Sequence, residues 1–94
     1  MYLRISRTRV DPARFDEAQA LRQDVVLAVR RLPGCQSVYQ CADRSDGTGA
    51  VVSLWDTPEH ARFSRETLGE LMARTQALGV QVEPPEIYEV LAQA

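Results

Sequence analysis

Residues 48–55 form the segment that most constrains how this 94-residue chain can fold. The segment reads Thr-Gly-Ala-Val-Val-Ser-Leu-Trp, and so long an apolar run is typical of a central strand covered on both faces. Asp56-Thr57-Pro58 follows it, which indicates a helix cap with proline in the first helical turn. A buried strand is therefore predicted to lead directly into a helix.

The first half of the chain shows a strand and then a helix. Tyr2–Val10 alternates with period two, which predicts a strand. Asp11-Pro12 then indicates a helix start, and the helix is expected to run to about Leu32 before Pro33-Gly34 ends it. Its apolar stripe consists of Phe15, Ala18, Leu21, Val25, Ala28, Val29 and Leu32.

The second half repeats this alternation. Cys35–Cys41 is predicted to be a strand, joined to residues 48–55 by a polar hairpin turn. The second helix begins at Pro58 and is expected to end at about Gly79, and Gly69 can break it into two pieces. A last strand, Ile87–Leu91, follows two prolines, which suits an edge strand.

The order β-α-β-β-α-β predicts a single α+β domain of the ferredoxin-like type over residues 1–94. Its antiparallel four-stranded sheet would carry both helices on one face, with the first and third strands adjacent at the centre. The third strand offers the other face one of two sets, Ala50, Val52 and Leu54 or Val51, Ser53 and Trp55. Neither set is polar, so we predict a homodimer that packs through its sheet faces.

Composition narrows the classes of partner. The net charge is −2 and the charges are interspersed, so we expect no nucleic-acid binding. No apolar run is long enough to span a membrane and the N-terminus does not resemble a signal peptide, so we expect a cytoplasmic protein.

The sequence also predicts neither a disulfide nor a bound cofactor. Cys35 and Cys41 lie about 20 Å apart on one strand, too far for a disulfide. Metal-ligand clusters and phosphate loops are absent, and no cofactor is expected.

Two motifs carry a resemblance to a known family. They are Pro33-Gly34-Cys35, between the first helix and the second strand, and Trp55-Asp56-Thr57-Pro58-Glu59-His60-Ala61, at the start of the second helix. With them, nearly the whole chain resembles the antibiotic-biosynthesis monooxygenase family of the dimeric α+β-barrel superfamily. The resemblance implies a cofactor-independent monooxygenase that acts on a small hydrophobic or phenolic molecule between sheet and helices. Haem-degrading members rely on an Asn, and this chain has none.

Three residues are candidates for catalysis. His60 in the first turn of the second helix, or Tyr39 on an edge strand, could act as the base that deprotonates a phenol. Arg4 lies on a central strand, where a charge must be paired or face a cavity, and it could bind a phenolate or carboxylate. The simpler alternatives are an exposed His, a half-buried Tyr and an ion pair across the dimer.

Four further residues are candidates for substrate contact. Trp55 could stack on an aromatic ring, although it could equally fill the core beneath the second helix or lie in the dimer interface. Phe63 and Tyr88 could supply further aromatic contacts, and Ser6 lies on the same strand face as Arg4.

Two other functional classes stay open at this point. The chain could be a non-catalytic homodimer that binds a small molecule or has a structural role, because this architecture hosts many functions. It could also be a regulatory amino-acid-binding domain of the same topology. Such domains usually carry a glycine after the first strand, where this chain reads Val10-Asp11-Pro12-Ala13, so this class ranks last.

Overall fold

A computed structural model describes residues 1–94 as five strands and three α-helices. The strands are β1 (Tyr2–Arg9), β2 (Cys35–Ala42), β3 (Thr48–Trp55), β4 (Gln81–Val82) and β5 (Glu86–Glu89). The helices are α1 (Gln19–Arg30), α2 (Pro58–Ala61) and α3 (Glu70–Ala77), with 3-10 turns at Pro12–Arg14, Asp16–Ala18 and Arg65–Leu68. None of the helices is long and apolar enough to cross a membrane.

The sheet has the predicted ferredoxin-like topology. Its order is β2-β3-β1, and both β4 and β5 pair with the outer edge of β1. All pairings are antiparallel, and β1 and β3 pair along their whole length, from Tyr2 opposite Trp55 to Arg9 opposite Thr48. The prediction that the first and third strands are adjacent and central is therefore confirmed.

The fourth strand of the prediction is interrupted in the structure. β4 lies before Pro84-Pro85 and β5 lies after it, whereas only the part after the prolines was predicted. Proline has no backbone N–H to donate to the ladder, which accounts for the gap between the two pieces. β5 also ends at Glu89 rather than at Leu91.

The helices begin and break in places that the apolar periodicity does not predict. Asp11 is an N-cap as expected, since its carboxylate accepts the Ala13 N–H at 2.9 Å. The residues that it caps form 3-10 turns, however, and α1 begins only after them. The second helical region is broken at Gly69, as predicted, and also between α2 and the 3-10 turn at Arg65. Thr57 rather than Asp56 caps α2, and its hydroxyl accepts the His60 N–H.

Register assigns each strand residue to one of two faces. The helices cover the face that carries Arg4, Ser6, Ser53 and Trp55, all of them buried. Trp55 belongs to a core cluster with Val29, Cys35 and Ala61. The opposite face, termed the open face, carries the apolar or aromatic residues Leu3, Ile5, Tyr39, Ala50, Val52, Leu54 and Tyr88, together with Ser37, Cys41 and the ion pair of Arg7 with Glu86.

Candidate functional site

A cavity of about 90 Å³ lies between the sheet and the helices. Eleven of its 19 lining residues are hydrophobic, so most of the wall offers only van der Waals contact. The sheet contributes one side of the wall, and α1, α3 and the 3-10 turn before α3 contribute the other. The polar groups on the sheet side are Arg4, Ser6, Thr8 and Gln40.

Arg4 extends from β1 beneath the end of α2. Its side chain lies over the Phe63 ring, with 3.8 Å between the guanidinium carbon and the ring centroid. Its Nη1 donates to the carbonyl oxygens of Ala61 and Phe63 at 2.7 and 2.9 Å. These carbonyls lie where α2 ends and have no helical partner, so Arg4 satisfies acceptors that the helix break leaves free.

The charge of Arg4 is buried without a counterion. The residue is 4% exposed, and none of the ion pairs in the structure involves it. Burial, and then the nearby charge of Arg65, lower the pKa of Arg4 to about 10. The guanidinium is therefore still protonated at neutral pH, and a positive charge faces a mostly apolar cavity.

Two more arginines line the cavity, and neither is among the candidates that the sequence suggested. Arg65, in the 3-10 turn before α3, donates to the carbonyl oxygens of Val82 and Glu83. Arg22 on α1 donates to the Phe15 carbonyl oxygen at 2.9 Å. The spacing holds the signal for both, because each arginine falls on an apolar helical stripe, 65-68-72-75 in one case and 18-22-25-29 in the other.

Ser6 lines the cavity together with Arg4, so the structure brings these two candidates together. Phe63 contacts Arg4 but does not line the cavity. Trp55 is 0% exposed, its Nε1 donates to the Ser53 hydroxyl at 2.8 Å, and its ring lies 5.2 Å from that of Phe63. Trp55 and Phe63 thus form an aromatic layer beneath α2, beside the cavity rather than in its wall.

His60 lies on the surface rather than in the cavity. Its Nδ1 lies 2.7 Å from the Asp56 carboxylate, which can only accept, so Nδ1 is the donor in this pair. The hydrogen bond from His60 lowers the pKa of Asp56. Nearly half of each side chain is exposed, and the pair packs against Gly34.

Tyr39 and Tyr88 are on the open face, on the other side of the sheet from the cavity. They are 62% and 55% exposed. Tyr39 lies opposite Val52 on β3, and Tyr88 lies opposite Leu3 on β1. Within one subunit, neither phenol reaches Arg4, and no group of three or more His, Cys, Asp or Glu residues is arranged to hold a metal ion.

Solved structures with the same fold span the whole chain. A protein from Deinococcus radiodurans, described as a candidate antibiotic biosynthesis monooxygenase, superposes with a TM-score of 0.79 at 16% identity, covering 100% of this chain and 96% of that one. SnoaB, a cofactor-independent oxygenase from Streptomyces nogalater, gives a TM-score of 0.72 at 15% identity, covering 98% and 94%. The chain has the antibiotic biosynthesis monooxygenase fold.

A third neighbour, Rv0793 from Mycobacterium tuberculosis, gives a TM-score of 0.71 at 18% identity, covering 99% of this chain and 97% of that one. The resemblance stated from the two sequence motifs is thus confirmed at the level of the fold. No protein family model and no curated protein sequence matches the chain.

Proposed function

We propose that the protein is a cofactor-independent monooxygenase that oxidises a small phenolic molecule in the cavity between sheet and helices. The observation that carries the proposal is the buried charge of Arg4 at the wall of an otherwise mostly apolar cavity. The shared fold with SnoaB, a cofactor-independent oxygenase, supports it.

The reaction requires few functional groups from the protein. An ionised phenol transfers one electron to O₂, and the resulting phenoxyl radical and superoxide combine at a ring carbon. Protonation gives a hydroperoxide, and loss of water leaves a quinone, so one phenol and one O₂ yield one quinone and one water. The negative charge on the phenolate and then on the peroxide is the charge that Arg4 would stabilise in a site of low dielectric constant.

Ionisation of the phenol is the step that the cavity would assist. No Asp, Glu or His lines the cavity, and the proposed bases His60 and Tyr39 lie elsewhere in the subunit. Positive charges near a hydroxyl lower its pKa. Arg4 and Arg65 would therefore shift a bound phenol toward the phenolate, with water as the proton acceptor.

Oxygen uptake with single-ring phenols tests the proposal. We expect uptake to match quinone formation mole for mole, and Arg4→Gln to lower turnover about 100-fold, the typical effect of removing one group that stabilises an oxyanion. Arg62→Gln is the control, because Arg62 is an exposed arginine that does not line the cavity. Unchanged turnover in folded Arg4→Gln protein would refute the role of Arg4.

A non-catalytic small-molecule-binding protein is the second candidate. The absence of an acid–base side chain from the cavity wall favours it. The same experiment separates the two functions, because a binding protein would bind the phenol without consuming oxygen.

We also propose that the protein works as a homodimer through the open face. This face presents apolar side chains from β1 and β3, and Tyr39 on β2 and Tyr88 on β5 are more than half exposed on it. An apolar patch of this kind usually marks an interface, and a second copy of the chain offers a matching surface.

A further inference from the structure

We propose that the cavity selects a small, single-ring oxyanion, a carboxylate or an ionised phenol, and holds it between the guanidinium groups of Arg4 and Arg65. This rests on the proposed function in that both concern the same cavity. It differs in predicting a preference for charge and size that a binding measurement detects without any turnover.

The cavity wall carries positive charge only. Its three charged residues are Arg4, Arg22 and Arg65, although the chain as a whole has 13 acidic residues and a net charge of −2. The exclusion of acidic residues from the wall makes the cavity a region of positive potential, where an anion is favoured over a neutral or cationic ligand.

The hydrogen-bond partners of the cavity arginines also favour an anionic ligand. Arg7, Arg14, Arg44 and Arg74 each pair with a carboxylate at 3.0–3.4 Å. The three cavity arginines pair with none and donate instead to backbone carbonyls, with one further bond from Arg22 to the Gln19 side chain. Arg9, Arg30, Arg31 and Arg62 also lack a carboxylate partner, but Arg4 is the one arginine that is buried without one. Burying a guanidinium without a counterion is unfavourable, and a bound anion would compensate for it.

Arg4 and Arg65 are the pair best placed to share one anion. Both line the same cavity, and Arg65 is near enough for its charge to contribute to the lowered pKa of Arg4. An anion between them would offset that repulsion. Both hydrogen bonds of Arg4 use Nη1. The N–H groups of Nε and Nη2 therefore stay available, and a guanidinium that presents two adjacent donors matches a carboxylate in geometry.

The volume of the cavity limits the rest of the ligand. An apolar cavity of about 150 Å³ is enough to bind benzene in a protein core. At about 90 Å³, this cavity is smaller, so one ring would fill it and require it to widen, and a ligand with two rings would require far more widening. The hydrophobic part of the wall, which includes Leu21, Val25, Val29 and Met72, would contact that ring.

Calorimetric titration with matched ligands tests the proposal. Benzoate and 4-nitrophenolate are the oxyanion probes, benzamide is the neutral isostere of benzoate, and 2-naphthoate is the larger anion. We expect at least one oxyanion to bind tenfold or more tighter than benzamide, and benzoate to bind tighter than 2-naphthoate. Whichever of the two oxyanions binds more tightly shows whether the cavity prefers a carboxylate or a phenolate.

Variants assign the effect to Arg65. Arg65→Gln should weaken oxyanion binding at least tenfold, Arg65→Lys should restore most of it, and Arg62→Gln should change it less than twofold. Thermal melting confirms that each variant is folded, since Arg65→Gln also loses its donations to Val82 and Glu83. If Arg65→Gln unfolds, the ligand series measured on the native protein still decides whether the cavity selects an oxyanion.

Equal affinity for benzoate and benzamide would overturn this proposal, as would undiminished oxyanion binding in folded Arg65→Gln protein. Oxygen uptake by the same samples reports on the proposed function separately. Selective oxyanion binding without oxygen uptake would refute only the oxygenase function. Oxygen uptake with no preference for oxyanions would refute only the selection of an anion by the cavity.

Discussion

Ser53 and Trp55 form a hydrogen-bonded pair inside the core. Ser53 is 2% exposed and Trp55 is 0% exposed, and the indole N–H donates to the Ser53 hydroxyl at 2.8 Å. Ser53→Ala would leave a buried N–H without an acceptor, so we expect the free energy of unfolding to fall by about 1–3 kcal/mol. Urea denaturation measures this change.

A double-mutant cycle isolates the hydrogen bond from the loss of packing. Trp55→Phe removes the donor, so Ser53→Ala should cost much less in that background than in the native protein. Additive effects of the two substitutions would contradict a stabilising hydrogen bond between the two side chains. Leu27→Ala, an exposed substitution on α1, is the control and should change stability little.

The candidate site was only partly predictable from single residues. Arg4 and Ser6 were predicted because a charge on a central strand needs a partner or a cavity, and both do line the cavity. Arg22 and Arg65 were missed, because a long basic side chain on an apolar stripe is usually read as reaching past it to solvent. Their spacing places both on an apolar stripe, but only the packed helices show that the two side chains line the cavity.

The strands and the helices differ in how well local sequence determines them. β3 matches its predicted bounds, because a period of two and a long apolar run depend on few competing contacts. The break after α2 is stabilised by Arg4, which is far away in sequence and donates to the carbonyl oxygens of Ala61 and Phe63. A tertiary contact of this kind has no signature within the segment that it stabilises.

Gly34 controls how α1 connects to β2 beside α2. Its φ of 80° is a conformation that other residues rarely adopt, and an added Cβ would overlap Asp56 Oδ1 and His60 Nδ1. Gly34→Ala should therefore cost about 1–3 kcal/mol of stability and separate the His60–Asp56 pair. Gly69→Ala is the matched control, because its φ of 55° is also positive but its Cβ would meet no atom within 4 Å.

The pKa of Asp56 distinguishes these two glycine variants. His60 holds that pKa below its ordinary value of 3.8, so the pair stabilises the fold above pH 3.8 and loses its effect as pH falls through the lowered value. We expect the Asp56 pKa, followed by carboxyl-carbon NMR, to rise in Gly34→Ala and to stay unchanged in Gly69→Ala. A rise in both variants would show that backbone strain, rather than contact, disturbs the pair.

The whole molecule is flat and exposes more surface than its mass requires. Its principal extents are 38 × 29 × 19 Å, and only 13 of 94 residues are buried. The accessible surface is 5920 Å², whereas a typical monomer of this mass exposes about 5400 Å². The excess fits a sheet with one uncovered face, and so small a core leaves a lone subunit marginally stable.

The proposed homodimer therefore predicts that assembly and stability change together. Val52 lies at the centre of the open face, between Ile5 on β1 and Tyr39 on β2. Val52→Glu should convert the dimer to a monomer in light scattering, because a second copy would bring two buried carboxylates together. Leu27→Glu, on an exposed helical position at 55% exposure, should leave the dimer intact.

The dependence of the melting temperature on concentration is a second test of the dimer. In the native protein the melting temperature should fall on dilution, since dissociation precedes unfolding, and in Val52→Glu it should not depend on concentration. A native protein that is monomeric at micromolar concentration would refute the dimer, and the open face would then be exposed to solvent in the folded protein.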